Sequence, residues 1–136
     1  MRCAAATVTV EMARVEDMEM SDWLTQSAAD LGRAIGAGEV DPVTLAEIYL
    51  TAIAAQPAKD GIYTTVTPER AMAEAEAAKA RADLKQRLGP LDGVPISWKD
   101  LFDSAGTATE AGSRLLEGRV PERDARVLAN ATKAGL

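Results

Sequence analysis

Lys99 is the residue of this sequence most suited to chemistry. It closes the run Val94-Pro95-Ile96-Ser97-Trp98-Lys99, and a segment rich in small hydroxyl, acidic and glycine residues follows: Asp100, Asp103, Ser104, Gly106, Thr107, Thr109, Gly112 and Ser113. An amine in such company can serve as a base, because a serine hydroxyl is a weak nucleophile until a neighbour takes its proton. A protonated lysine cannot do this, and its ordinary pKa is about 10.4. Burial in a dry pocket disfavours the charged form and can lower that value by up to about 3–5 units. The chain contains no histidine, which excludes Ser-His-Asp and Cys-His catalysis and His-based zinc sites within these residues. Local pattern alone reads Lys99 as a solvated surface lysine. Ser97 shares its face two residues earlier, and Trp98 is assigned to the core. Asp100, pointing away from Lys99 on a strand, is assigned to orienting the loop, and Ser113 to tying down a glycine-containing loop through its hydroxyl.

These residues need a platform, and the preceding sequence describes one. Gly89-Pro90 and Asp92-Gly93 are turn dipeptides that reverse the chain just before Val94. Val94, Ile96 and Trp98 then alternate with Pro95, Ser97 and Lys99, which predicts a short strand with two unlike faces. Pro95 cannot donate to a ladder, so the strand begins there or lies on an edge.

Upstream, Ser27 and Asp30 read as an N-cap with an acid in the first turn, opening a helix with Leu31, Ala34 and Ile35 inward and Gly36 and Gly38 as its stop. Asp41-Pro42 opens a second helix as N-cap and N1. Its apolar face is Val43, Ala46, Leu50 and Ile53, broadened by Ile48 and Tyr49, and Pro57 ends it. Residues 62–66, Ile-Tyr-Thr-Thr-Val, predict a strand. Thr67-Pro68 then begins a long alanine-rich helix reaching Leu88, with a narrow alanine seam on the sheet, charge pairs Glu76–Lys79 and Asp83–Arg87, and Gly89 as terminator. Leu115 and Leu116 anchor a turn. Asp124 caps the last helix, with Val127, Leu128 and Ala131 inward and Gly135 as its stop.

Composition narrows the classes. Hydrophobic residues make up 47% of the 136, and alanine is much of that fraction, with only one Phe, two Tyr and two Trp to add bulk, so a helix-rich core is expected and a disordered tail is excluded. With 21 acidic against 15 basic residues the net charge is −6; without a basic stripe, nucleic-acid binding by direct phosphate neutralisation is not expected. The single cysteine, Cys3, allows no internal disulfide and no cysteine cluster for a metal, which fits a reducing cytoplasmic setting. No run is long and apolar enough for a membrane span, and the early acidic residues make residues 1–10 a poor signal peptide. Met12, Met18 and Met20 raise the expectation that residues 1–26 are a poorly ordered leader or an over-called start, with translation beginning at Met18 or Met20.

The ordered string G-P-L-D-G-V-P-I-S-W-K-D, followed by A-G-T-A-T and A-G-S, closely resembles the opening of the amidase signature family of serine hydrolases. By position, Lys99 matches the family's catalytic lysine, and Gly89, Leu91, Gly93, Pro95 and Asp100 fit the pattern around it, as do Gly106, Thr109, Gly112 and Ser113. The resemblance implies an α/β fold, a mixed β-sheet core flanked by helices, of which residues 27–136 form an N-terminal, helix-rich and incomplete portion. It implies hydrolysis of a small-molecule amide by a Ser-cis-Ser-Lys triad, with Lys99 passing protons through the second serine, no cofactor, no metal, and room for a homo-oligomer in the full-length enzyme. The family's two serines lie in a G-G-S-S-G-G segment that these residues do not contain. A nearer variant is the A-subunit of the glutamyl-tRNA amidotransferase, which usually shows K-D-N-I and C-A-S where this chain has K-D-L-F and A-G-S. A catalytically inactive fragment, at most an interaction module, is the alternative of a different class. On the hydrolase expectation, the intact mass of the native product in its source cell is several times that of these residues; a product of this size would leave the lysine without a nucleophile.

Overall fold

A computed structural model describes residues 22–136. The leader assigned to residues 1–26, and the alternative starts within it, lie outside the described residues as far as residue 21. Of the remainder, Trp23 packs against the hydrophobic core.

The first helix, α1 (Ala28–Ala37), starts where the sequence places it: the Ser27 hydroxyl accepts the Asp30 N–H at 3.2 Å. It ends at Gly38, whose φ of 77° suits glycine and whose neighbourhood returns N–H groups to Ala34 and Ile35. Gly36 is not the stop; it is helical, and the space its missing Cβ leaves is taken by the Arg87 guanidinium. Gly32, one turn earlier, is likewise pressed by the Pro90 carbonyl. Two glycines four residues apart therefore make a groove on α1 into which the 87–91 segment settles.

Helix α2 (Pro42–Ala55) is capped by Asp41, whose carboxylate accepts from Val43 N–H at 2.9 Å and Thr44 N–H at 3.1 Å. Its buried face is Pro42, Leu45, Ala46 and Ile48, rotated from the expected one. Leu45 is fully buried, worth about 1.5–3 kcal/mol of transfer free energy, while Val43, Leu50 and Ile53 are half-buried. A single turn, α3 (Lys59–Ile62), takes the first residue of the expected strand, and residues 63–67 run on without regular structure.

Helix α4 (Pro68–Asp83) packs along α2 through its alanine seam, with Ala75 and Ala78 buried. The seam meets a helix rather than a sheet. The helix also stops short of Leu88. Lys85 adopts a φ of 59°, its N–H reaches the Ala82 carbonyl at 3.0 Å, and the Gln86 N–H reaches the Arg81 carbonyl at 2.8 Å. This is the left-handed closure that glycine favours, held here by a lysine, so the Asp83–Arg87 pair never forms. Lys79 lies near Asp41 instead, at 3.9 Å.

The turn that follows is the keystone. Asp92 is buried, and its carboxylate accepts Arg81 Nε at 2.9 Å, Arg81 Nη2 at 2.6 Å and the Leu88 N–H at 2.8 Å. Arg87 Nη2 donates to the Asp92 carbonyl at 3.0 Å. Gly93, at φ 90°, donates to the Gly135 carbonyl at 2.8 Å, and a Cβ there would strike Pro42 and Ala78. Val94 then enters the core beside Leu31, Ile35, Val40 and Leu45, with Leu91 and Leu136 packed against it.

Val94–Trp98 has no regular structure, and no strand is present among the described residues, either there or at 62–66. The reason is pairing: the N–H and C=O groups of Ile96, Ser97 and Trp98 make no backbone hydrogen bond among the described residues, and Pro95 has no N–H to offer. The described portion is thus helix-rich without a sheet. Its last elements are a 3-10 turn, Arg114–Leu116, and α5 (Arg126–Lys133). Leu128 of α5 is buried, whereas Val127, expected inward, is 44% exposed; Leu115 lies in the turn it was expected to anchor but is 95% exposed. No helix of the described residues is long and apolar enough to cross a membrane.

Two substitutions probe the strained backbone positions. Lys85→Gly is expected to stabilise the chain by about 1 kcal/mol, because a left-handed non-glycine residue costs about that much. Gly93→Ala is expected to destabilise it by about 2 kcal/mol, from strain and the clash with Pro42. Urea unfolding of the two variants measures both signs.

Candidate active site

The segment from Val94 delivers Lys99 to a sharp bend. The N–H groups of Leu101 and Phe102 both point to the Lys99 carbonyl, at 2.7 and 3.1 Å, and Phe102 lies edge-on to Trp98 with ring centroids 5.9 Å apart. A cavity of about 310 Å³ opens beside this bend. Its lining includes Ser97, Lys99, Asp100, Ser104, Thr107 and Thr109, together with Tyr49, Ile53 and Tyr63. Lys99 is exposed and makes no ion pair or side-chain hydrogen bond among the described residues. Trp98 is half-buried rather than a core residue.

The loop after Lys99 is shaped by acidic side chains. Asp100 accepts the Glu110 N–H at 3.0 Å, which is the orienting role its position suggests. Glu110 in turn accepts the Gly118 N–H at 2.8 Å. Gly106, at φ 74°, donates to the Pro121 carbonyl at 2.9 Å, and Thr109, which is buried, donates to the Arg119 carbonyl at the same distance. Asp103 and Arg119 meet in a two-pronged pair at 2.6 and 2.7 Å. Ser113 accepts the Leu115 N–H at 3.3 Å and opens the 3-10 turn, a structural use of the hydroxyl.

Asp124 does not cap α5. The N-cap of the helix is Ala125, which makes no side-chain cap, and the Asp124 carboxylate is held elsewhere. Arg70 Nη1 and Nη2 donate to it at 3.0 and 2.9 Å, and the Ala105 N–H does so at 2.8 Å. The Arg70 hydrogen bonds, then the Ala105 N–H, hold this carboxyl below its ordinary value. The Arg119 guanidinium does the same for Asp103. For Asp92, burial pushes upward, but the Arg81 and Leu88 donors with the charges of Arg81 and Arg87 outweigh it, and the net shift is down.

Of the residues singled out from sequence, the cavity gathers Pro95, Lys99, Asp100 and Thr109. Gly93, Gly106, Gly112 and Ser113 support its loops without lining it. Sequence reading missed Ser104 as a lining residue and Arg70 as the partner of Asp124; nothing local signals a pair 54 positions apart. Among the described residues no group of three or more histidine, cysteine, aspartate or glutamate side chains is placed to hold a metal ion.

Comparison with known proteins agrees with the motif. The model of the amidase family matches residues 44–136, and the chain belongs to that family, whose members carry the amidase signature. Among curated proteins, it is 38% identical over 108 residues to the A-subunit of glutamyl-tRNA(Gln) amidotransferase from Streptomyces coelicolor, covering 79% of this chain and 22% of that one. It is 42% identical over 106 residues to the corresponding protein from Anaeromyxobacter dehalogenans, covering 78% and 22%, and 42% identical over 113 residues to that from Chloroflexus aggregans, covering 83% and 23%. The chain thus spans less than a quarter of the length of these relatives.

The carboxylates that shape the loop set a pH dependence. Asp92, Asp103 and Asp124 all have folded values below the ordinary 3.8. Their contribution is complete above the unfolded value, about 3.9, and is lost as pH falls through the lower folded values. Amide NMR from pH 6 to pH 2 should show the Ala105 resonance constant down to about pH 4 and moving below it. Movement already at pH 6 would contradict the assignment.

Proposed function

We propose that this chain is the N-terminal part of an amide hydrolase, in which Lys99 moves protons for a serine nucleophile. Family membership supports amide hydrolysis in general. The placement of Lys99 on the wall of a cavity, just before a sharp bend and without a carboxylate partner among the described residues, supports the finer reading. In the proposed reaction a serine oxygen forms a bond to the amide carbon, the hydroxyl proton passes by way of a second serine to the Lys99 amine, and that proton leaves with the amine product as the C–N bond breaks. Water then reverses the relay and releases the acid. Both serines belong to a G-G-S-S-G-G segment that these 136 residues do not contain, so they are assigned to sequence outside this chain. Val94–Trp98 would become part of a mixed sheet there, a reading supported by its alternating apolar pattern and by the unpaired N–H and C=O groups of Ile96, Ser97 and Trp98 among the described residues. The same packing would have to cover the Lys99 amine, which is exposed here.

A second reading is glutamine amidase activity, favoured by the names of the relatives reported above. K-D-L-F at residues 99–102 and A-G-S at 111–113, where the amidotransferase usually has K-D-N-I and C-A-S, weigh against it. A small linear amide is the first choice and glutamine the second.

Lys99→Ala in the full-length gene product is the test. Loss of a general acid–base group costs about 10²–10⁴ in rate, so turnover of acetamide, benzamide and glutamine should fall by that range with the thermal midpoint unchanged. Near-wild-type turnover would sink the assignment. The amide on which wild type is most active separates the first reading from the second.

A further inference from the structure

We propose that Arg70 is a positioning residue for the Lys99 site, a clamp that holds the Ser104–Thr109 wall of the cavity against α4. Its catalytic half rests on the amide-hydrolase reading; its structural half does not. Arg70 lies in the first turn of α4, and all but one of its partners are far away in sequence. Its guanidinium donates through Nη1 to Ser104 Oγ at 3.2 Å and Asp124 Oδ1 at 3.0 Å. Through Nη2 it donates to Asp124 Oδ2 at 2.9 Å and Thr132 Oγ1 at 3.4 Å, and through Nε to Glu74, one turn along the helix, at 3.0 Å. Asp124 relays the hold by accepting the Ala105 N–H at 2.8 Å. One planar group therefore fixes Ser104 directly and Ala105 through a carboxylate.

The wall needs this hold. It is also stitched to residues 118–121 by Thr109, Gly106 and the Asp103–Arg119 pair, and to the start of α5 by the Ala125 N–H, which donates to the Asp103 carbonyl at 2.8 Å, but none of these ties reaches α4. Among the described residues, every side-chain hydrogen bond between α4 and this wall comes from Arg70. Ser104, Thr107 and Thr109 face the same cavity as Lys99, so freeing the near end of the wall would widen the space around the amine. Geometry of this kind controls rate steeply, since a displacement of about 1 Å in a catalytic site can cost about 10²-fold. A lysine at position 70 keeps the charge but, as a point donor, cannot bridge Ser104 and both oxygens of Asp124.

The experiment uses the full-length gene product with Arg70→Lys and, separately, Ser104→Ala, which removes the direct contact and leaves the Arg70–Asp124 pair. Hydrogen exchange of residues 103–109 and acetic anhydride labelling of the Lys99 amine are read by mass spectrometry, beside kcat and KM on the amide that wild type turns over. In Arg70→Lys the wall should exchange about tenfold faster while the α1 and α2 cores keep their protection. Lys99 labelling should rise about threefold with Lys79 and Lys133 unchanged, and kcat should fall about tenfold with little change in KM. Ser104→Ala should give the same pattern in smaller measure. Unchanged exchange and unchanged Lys99 labelling in both variants would overturn the clamp, and so would a kcat loss that merely follows a lower thermal midpoint. An active Lys99→Ala enzyme alongside faster wall exchange would instead remove the hydrolase reading and leave the clamp standing.

Discussion

Asp92 carries a carboxylate out of water, and such a group is tolerated in a protein interior only when paired and hydrogen-bonded. Arg81 supplies two parallel donors and the Leu88 N–H a third. That need for partners ties the end of α4 to the turn before Val94. The same turn sends the Gly93 N–H to the carbonyl of Gly135, where a side chain would collide with the Asp92 carboxylate. Arg87 and Pro90, resting on the glycine groove of α1, complete the junction. Three remote parts of the chain meet at one anion. Val94 enters the core at the residue after Gly93, so the path that ends in Lys99 starts from a fixed point.

Beyond Lys99 the structure changes character. Apolar packing thins: Leu101, Phe102, Leu115 and Val120 are exposed, and hydrogen bonds to carboxylates take over the work of shaping the loop. Asp100, Asp103, Glu110 and Asp124 each hold a backbone N–H or an arginine. Polar ties of this kind can open locally without unfolding the helices. A site wall built from them beside a helical core gives one chain a rigid platform and an adjustable rim.

Much of this was readable in the sequence where the physics is local. Ser27, Asp41-Pro42 and Gly38 announced their helix ends, the Asp92-Gly93 turn was plain, and the G-P-L-D-G-V-P-I-S-W-K-D string pointed to the amidase family. The failures are long-range. The D-G dipeptide said turn and could not say that its aspartate is buried against Arg81. Asp124 looked like a cap because its partner, Arg70, lies 54 residues away. The long helix was drawn to Gly89 because glycine is the usual left-handed stop, whereas Lys85 takes that conformation four residues sooner. Residues 62–66 and 94–98 have strand composition, but strand propensity expresses itself only against a neighbouring strand, and none lies beside either segment among the described residues.

The Arg81–Asp92 pair fixes the turn from which the Lys99 segment departs. A double-mutant cycle with Arg81→Met, Asp92→Ala and the combined variant, read by urea unfolding, tests it most directly. A coupling of about 2 kcal/mol is expected, each single change being nearly as costly as both together because either one strands a buried charge or donor. Effects that add to within about 0.5 kcal/mol would mean the two residues act independently, and the turn would have to owe its position to something else.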